Sequence, residues 1–538
     1  MKKLVSRFMA VLMAMTMILS MSMTAFAAEA PKGTLTVNNT VAGKTLDLYQ
    51  IFTATKNGDN VAYTLNSAYE GFFKNNTRIP GSESLTGEAL SEKAYEYVKT
   101  QVGTDGKSGT GFAKEILGWI LENATTVATT HTTATTTAGS TVISGLEYGY
   151  YVVYPLGATD TSAAPGEQDY TSVASLVSVT GDTSINMKSN YPTVVKKVND
   201  KTADDVNIGD TVTYTLTSKV PDMTGYTSYV FNFKDTLSAG LTFKEITSVT
   251  VDKTTITKVD VGQEADNTYT LAQDGQNITI TMNNFLASNA NKAGQEIKVT
   301  YTATLNKDAV TGFDPNTNKA TVEYSNKPGT DDKGESEPSK VDVHTFNFTI
   351  FKYYLKGETK TGLANAEFEL YKANEAGDAA DTNAKINIVD EGKGVYRQAT
   401  ADEAKATGFT SAKIVSDADG KVLVKGLDAG TYYLRETKAP EGYNKLLSDI
   451  KVVIKADYDV KTGKLTSYSV DYTYNGKTTN GAAITNKTDS PEVAVENKTG
   501  AQLPSTGSKG ALMVTLAGIV LFGVLTASKA FGKKKAKN

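Results

Sequence analysis

The 538-residue chain contains no cysteine, two histidines and one tryptophan. Without cysteine there can be no disulfide framework, no CxxC redox pair and no thiolate-bound zinc. His131 and His344 are far apart in sequence, too little imidazole for a histidine metal cluster, and their scarcity argues against histidine-based catalysis. No metal and no cofactor is expected. An excess of one charge is also missing: 55 basic and 59 acidic residues leave a net charge of −4. No basic stripe of the kind that nucleic acid requires is present, so nucleic acid is not an expected partner. Phosphate-binding loops are missing as well, since neither a P-loop nor a strand-preceded GxGxxG occurs. Nothing suggests the clustered carboxylates or Ser/His arrangement of a hydrolase, and the chain is not expected to be an enzyme.

Long apolar runs occur only at the two ends. Lys2, Lys3 and Arg7 precede a Met/Leu-rich stretch from Phe8 to about Met23, and Ala25-Phe26-Ala27 follows. This is the pattern of a secretory signal, with residues 1–27 removed after Ala27. At the other end, Leu503-Pro504-Ser505-Thr506-Gly507 precedes an apolar stretch from about Ala511 to Ala527. Lys529, Lys533, Lys534, Lys535 and Lys537 follow. Such a stretch can enter hydrocarbon as a transmembrane helix while the lysines cannot follow it across, so export stalls with LPSTG outside. With both ends set aside, roughly 480 residues remain, about three domains at 100–200 residues each.

Alternation dominates between the ends. In residues 28–190, Thr34-Leu-Thr-Val-Asn, Leu46-Asp-Leu-Tyr-Gln-Ile-Phe and Tyr148-Gly-Tyr-Tyr-Val-Val-Tyr read as strands. Leu90, Ala94, Tyr97 and Val98, then Phe112, Ile116, Leu117, Ile120 and Leu121 around Trp119, have helical spacing. This predicts a mixed α/β domain, with the threonine-rich run 125–141 as an exposed loop or edge. Residues 191–340 read as a β-sandwich with strands at 210–220, 229–233, 278–282 and 296–305 and a polar linker from Asn326 to Lys340. A second sandwich is expected over 341–487, then a tether at 488–502, which shows no apolar periodicity. The fold class expected is mainly β: tandem Ig-like or Cna-type sandwiches behind a mixed N-terminal domain.

Several motifs carry a resemblance. The tail is similar to the sorting signal of Gram-positive surface proteins, which implies that a sortase cuts between Thr506 and Gly507 and passes the threonyl carbonyl to an amine. Tyr432-Tyr-Leu-Arg-Glu-Thr-Lys-Ala-Pro-Glu-Gly-Tyr443 matches YxLxETxAPxGY, the E-box of pilin subunits and collagen-adhesin B-type (Cna-B) domains, and Gly362-Leu-Ala-Asn-Ala-Glu-Phe-Glu-Leu-Tyr371 resembles the same domain's second strand. In that family a first-strand lysine joins a last-strand asparagine through a spontaneous amide, helped by the E-box acid. The resemblance implies Lys352, Asn486 and Glu436 in those roles. In the preceding domain, Tyr191-Pro-Thr-Val-Val-Lys-Lys-Val, Phe231-Asn-Phe-Lys-Asp and Asn316-Thr-Asn-Lys resemble the isopeptide-forming second domain of pilus backbone subunits. They imply Lys196 and Asn318 with Asp235 as the acid. Alternation puts Lys196 on one face with Val194 and Val198, while Lys197 remains a competitor and Glu323 an alternative acid.

Burial makes such a trio reactive. A buried lysine favours its neutral amine and a buried acid its protonated form, and proximity alone can supply about 7–11 kcal/mol of the barrier to amide exchange. A covalent tie of this kind does a disulfide's work without an oxidant. The resemblance implies a sortase-assembled pilus backbone subunit, secreted and anchored to the cell wall. Its partners would be sortase, other copies of itself, minor pilins, peptidoglycan and a host surface ligand. The family's acceptor is a lysine in a YPK-type motif, but here Tyr191-Pro192-Thr193 has threonine in that place. Lys188 is the nearest candidate and Lys197 another. A monomeric wall-anchored adhesin, binding a matrix protein or glycan, would share the signal, sandwiches and LPSTG.

Overall fold

The computed structural model describes residues 31–103, 109–158, 173–187 and 191–499. The signal-like segment, Lys188, LPSTG (Leu503, Pro504, Ser505, Thr506 and Gly507), the apolar stretch and the basic tail lie outside them. No helix among the described residues is long and apolar enough to cross a membrane. The chain divides into two compact units. One runs to Val310 and includes Asp314–Thr345 and Tyr458–Leu465; the other comprises Thr311–Phe313, Phe346–Asp457 and the residues from Thr466.

The first unit begins with the mixed domain. Strand Thr45–Asn57 is buried almost continuously over its first half, because its sheet is covered on both faces. On one face, Tyr49, Ile51, Phe52, Val152 and Tyr154 pack against Leu90, Ala94 and Val98 of helix Gly87–Val102 and Phe112, Ile116 and Ile120 of helix Gly109–Glu122. On the other, Leu46, Leu48, Tyr151 and Val153 meet Leu35, Val37 and Ile143 of a three-stranded sheet. Both helices lie where the apolar spacing predicts, and Trp119 packs edge-on to Phe72 at 5.8 Å. Part of the threonine-rich run forms strand His131–Thr135, which pairs with the Thr45–Asn57 strand.

The sandwich that follows buries one core between two sheets. The first contains Val195–Val198, Thr211–Lys219, Glu296–Leu305 and Leu241–Val251 in spatial order; the second contains Ser339–His344, Asn316–Ser325, Phe231–Leu237 and Asn277–Met282. The segment read as a linker contributes Lys333–Glu335 and Ser339–His344, both paired to Asn316–Ser325. The sandwich therefore extends past Lys340, because Val341 and Val343 alternate into its core.

The second unit is also a two-sheet sandwich. One sheet is built on Phe346–Lys356, paired with Lys421–Leu427; the other on Glu367–Ala373, Gly430–Lys438, Ile450–Tyr458 and Leu465–Tyr474. The tether assignment fails at its start. Residues Glu492–Glu496 form a strand parallel to Phe346–Lys356, with Val493 and Val495 buried. The chain is mainly β, as the alternation predicts.

Candidate functional site

Charged side chains rarely sit in cores unless they are paired. Each sandwich nevertheless encloses a lysine and an acid, and each pair forms where inward positions of facing sheets meet.

In the first-unit sandwich, Lys196 is the inward residue between Val194 and Val198, while Val195 and Lys197 face out. Asp235 is inward between Phe233 and Leu237, and Asn318 shares its strand's inward face with Asn316 and Ala320. The structure brings the three together: Lys196 is 1% exposed, Asp235 2% and Asn318 0%. Lys196 Nζ is ion-paired to Asp235 Oδ2. Lys197 is exposed, and Glu323 lies on the outward face, bonded to Asn232 and paired with Lys234 and Lys333.

Two tyrosines complete this centre, and sequence reasoning missed both. Tyr214 and Tyr301 stack at 5.1 Å, and Lys196 Nζ lies 4.9 and 5.0 Å from their ring centres. The Tyr301 hydroxyl accepts from Lys196 Nζ at 2.7 Å, donates to Asp235 Oδ2 at 2.7 Å and accepts from Asn318 Nδ2 at 2.7 Å. Asp235 Oδ1 and Asn318 Oδ1 are buried without a hydrogen bond. Burial pulls the Lys196 ammonium pKa down to about 8 against the opposing pull of Asp235. Burial, and then the Asp235 charge, holds the Tyr301 phenol well above its ordinary value. The signal for Tyr301 is its place in the alternating run Ile297, Val299, Tyr301, Ala303, all inward.

In the second unit, Lys352 continues the inward series Phe348, Ile350 and is fully buried. Glu436 faces it from the other sheet, opposite Phe368 in the ladder. Lys352 Nζ lies 3.0 Å from Glu436 Oε1, with both side chains buried. Glu436 Oε2 accepts the Leu446 backbone N–H at 2.7 Å. Burial again lowers the lysine, to about 8, while Glu436 opposes the shift.

Asn486 is not beside this pair. It is exposed at a turn, where its Oδ1 accepts from Thr488 N at 2.9 Å and its Nδ2 donates to Asp489 at 2.9 Å. The asparagine that the ladder carries toward Lys352 is Asn497. Lys352 is in register with Val495 and Tyr353 with Glu496, and the Asn497 N–H donates to the Tyr353 carbonyl at 2.9 Å. Asn497 follows Val493 and Val495 on the inward face of the strand and is 1% exposed. Its Nδ2 donates to the Asn444 carbonyl at 2.9 Å, and its Oδ1 is buried without a hydrogen bond. A hint was present in the alternation Val493, Val495, Asn497, too short and too flanked by glutamate to stand out.

Among the described residues no group of three or more His, Asp or Glu side chains is arranged to hold a metal ion. What both centres hold is an amine and an acid in apolar surroundings with an asparagine on a neighbouring or facing strand.

Two family models match parts of the chain. Residues 208–328 match the family described as Gram-positive pilin backbone subunit 2, Cna-B-like domain, and residues 352–467 match SpaA, a prealbumin-like fold domain. Over 329 residues the chain is 27% identical to a trypsin-resistant surface T6 protein of Streptococcus pyogenes serotype M6, spanning 55% of this chain and 51% of that protein. Over 366 residues it is 25% identical to fimbrial subunit type 2 of Actinomyces naeslundii, spanning 64% and 61%. The chain thus spans about half to three fifths of the length of these relatives. Among solved structures, the T6 backbone pilin of Streptococcus pyogenes serotype M6 aligns with a TM-score of 0.46 and 18% identity, over 88% of this chain and 100% of that one.

Proposed function

From the chain's kinship with Gram-positive backbone pilins, which are structural proteins and not enzymes, we propose that it is the shaft subunit of a covalently built surface pilus. Each sandwich would weld itself shut after folding. The observation that carries this reading is the pair of buried lysine–acid centres, each with a buried asparagine on an adjoining strand. An isolated buried charge pair is weak support for stability, because desolvation offsets its attraction. As reactants the same groups have a purpose.

With its pKa near 8, a lysine amine is readily neutral and nucleophilic. Transfer of its proton to the facing acid leaves a neutral amine beside a neutral carboxylic acid. Lys196 Nζ would then attack Asn318 Cγ with Asp235 as the acid, and Lys352 Nζ would attack Asn497 Cγ with Glu436 as the acid. Each reaction forms one C–N bond, breaks another and releases ammonia. No cofactor or oxidant is consumed. In the second unit the reading assigns Asn497 in place of Asn486.

The rest of the reading concerns assembly. A sortase would cut after Thr506 and hand its acyl group to a lysine of another copy, with Lys188 as the candidate and exposed Lys197 the alternative. Wall attachment and adhesion by the finished fibre belong to the same reading. Intact-mass measurement of the secreted chain tests the first half: the expected deficit is two ammonia, with cross-linked peptides joining Lys196 to Asn318 and Lys352 to Asn497. Boiling wall extracts in detergent tests the second. A ladder of rising mass is expected, and one monomer-sized band would leave a wall-anchored adhesin as the better reading.

A further inference from the structure

The two centres differ in how the acid reaches the amide. In the second unit Glu436 lies in a cage whose aromatic contact to Lys352 is Phe368, 5.6 Å from Nζ to the ring centre, which has no hydroxyl. In the first-unit sandwich, Asn318 Nδ2 donates to the Tyr301 hydroxyl, which also touches both Lys196 and Asp235; the Tyr214 hydroxyl interacts with Asn318 as well but has no hydrogen bond to Lys196 or Asp235. We propose that Tyr301 is a catalytic residue of the Lys196–Asn318 bond, carrying the proton that lets the Asn318 nitrogen leave as ammonia. The proposal rests on reading that centre as a bond-forming site.

The step balances as follows. Neutral Lys196 Nζ attacks Asn318 Cγ, forming the new C–N bond and moving the carbonyl electron pair onto Oδ1. The lone pair of a planar amide nitrogen is delocalised into the carbonyl and does not accept a proton, but attack at Cγ makes Nδ2 pyramidal and frees the pair. Nδ2 therefore turns from donor to acceptor, and the Tyr301 hydroxyl turns to donate to it. The phenol passes its proton to Nδ2 and takes one from protonated Asp235, which takes one from the Lys196 nitrogen. The electron pair returns from Oδ1, the Cγ–Nδ2 bond breaks and ammonia departs. One proton has moved from amine to leaving group, and Tyr301 and Asp235 end as they began. A phenol whose ionisation is suppressed by burial suits this relay, since it passes protons without becoming a stable anion.

The test is a time course of the cross-linked Lys196–Asn318 peptide in the full chain carrying Tyr301→Phe, with Tyr269→Phe alongside. Tyr269, on strand Thr268–Asp274, is a buried tyrosine of the same sandwich's core and makes no hydrogen bond to Lys196, Asp235 or Asn318 among the described contacts. The expected result is that wild type and Tyr269→Phe are isolated fully linked, while Tyr301→Phe links on the order of a hundredfold more slowly, the range of positioned acid–base groups. The Lys352–Asn497 peptide in the same Tyr301→Phe molecules should be unchanged, which reports that the chain is sound. If Tyr301→Phe is isolated fully linked, the relay is wrong and the bond stands. Equal loss in both variants would make the sandwich's packing the cause and overturn the relay. Absence of the peptide from wild type would overturn the relay and the underlying reading together.

Discussion

Asn486 and Asn497 are 11 positions apart, and their surroundings assign them opposite roles. Asn486 spends its side chain on a turn in water, whereas Asn497 hides an unsatisfied carbonyl oxygen beside the strand that carries Lys352. Leaving a buried acceptor unpaired costs about 1–3 kcal/mol, a penalty that makes sense for a group awaiting reaction. Asn497→Ala is therefore expected to remove the second unit's ammonia deficit and Asn486→Ala to leave it intact, with peptide mapping as the check. The lysines make a second prediction. In an Asn318→Ala chain Lys196 stays a titrating amine whose folded pKa, about 8, lies below its ordinary 10.5. The unfolded state then binds more protons between those values, so the domain's stability should rise as pH climbs from about 8 to about 10.5. The full rise is on the order of 3 kcal/mol. In the linked wild type Lys196 would be an amide, and thermal unfolding followed across that window should show no such rise.

At the scale of strands and sheets, each proposed bond closes a loop of more than about 100 residues. Cross-links of that span remove close to 5 kcal/mol of unfolded-state freedom in the chain-entropy picture. Lys196 belongs to one sheet and both Asp235 and Asn318 to the other, so the bond would also pin the two sheets face to face. Asn318→Ala should lower that sandwich's unfolding temperature by about 10–20 °C in calorimetry, using about 2–4 °C per kcal/mol for domains of this size. How far such centres can be read without coordinates depends on the strand. Lys196, Asp235 and Asn318 are legible because each interrupts an otherwise apolar inward face, between valines, between Phe233 and Leu237, and beside Ala320. The two helices and most long strands are legible for the same periodic reason. Ser339–His344 and Glu492–Glu496 are not, since each has only two inward apolar residues set among charges. Their partners make them strands, and partners are absent from a local pattern. Tyr301 is hidden differently: a tyrosine in an alternating strand reads as ordinary core, and only the facing sheet reveals what its hydroxyl touches.

For the whole molecule, the placement of each bond along the chain decides what a pull between the chain's ends can extend. If the proposed bond forms, the tension path in the second unit would enter along Phe346–Lys356 and cross from Lys352 to Asn497, close to the end of the described residues. Everything between the bonded residues lies off that path. The first-unit sandwich is wired differently, because Asn318 is followed by the rest of its strand, by Lys333–Glu335 and by Ser339–His344. About 25 residues there would stay outside the proposed covalent loop and could be drawn out, roughly 80–90 Å of chain at 3.3–3.6 Å per residue. Single-molecule pulling on the wild type should therefore show one short extension of that size from this sandwich and almost none from the other. In an Asn497→Ala chain the same experiment should release roughly 500 Å from the second unit. The asymmetry has a mechanical reason. With the proposed bonds in place, a short segment that unravels and re-forms would absorb a sudden load, while the covalent loops would keep each core from being lost. Wild-type molecules that unravel fully in both sandwiches would show that neither centre carries a bond.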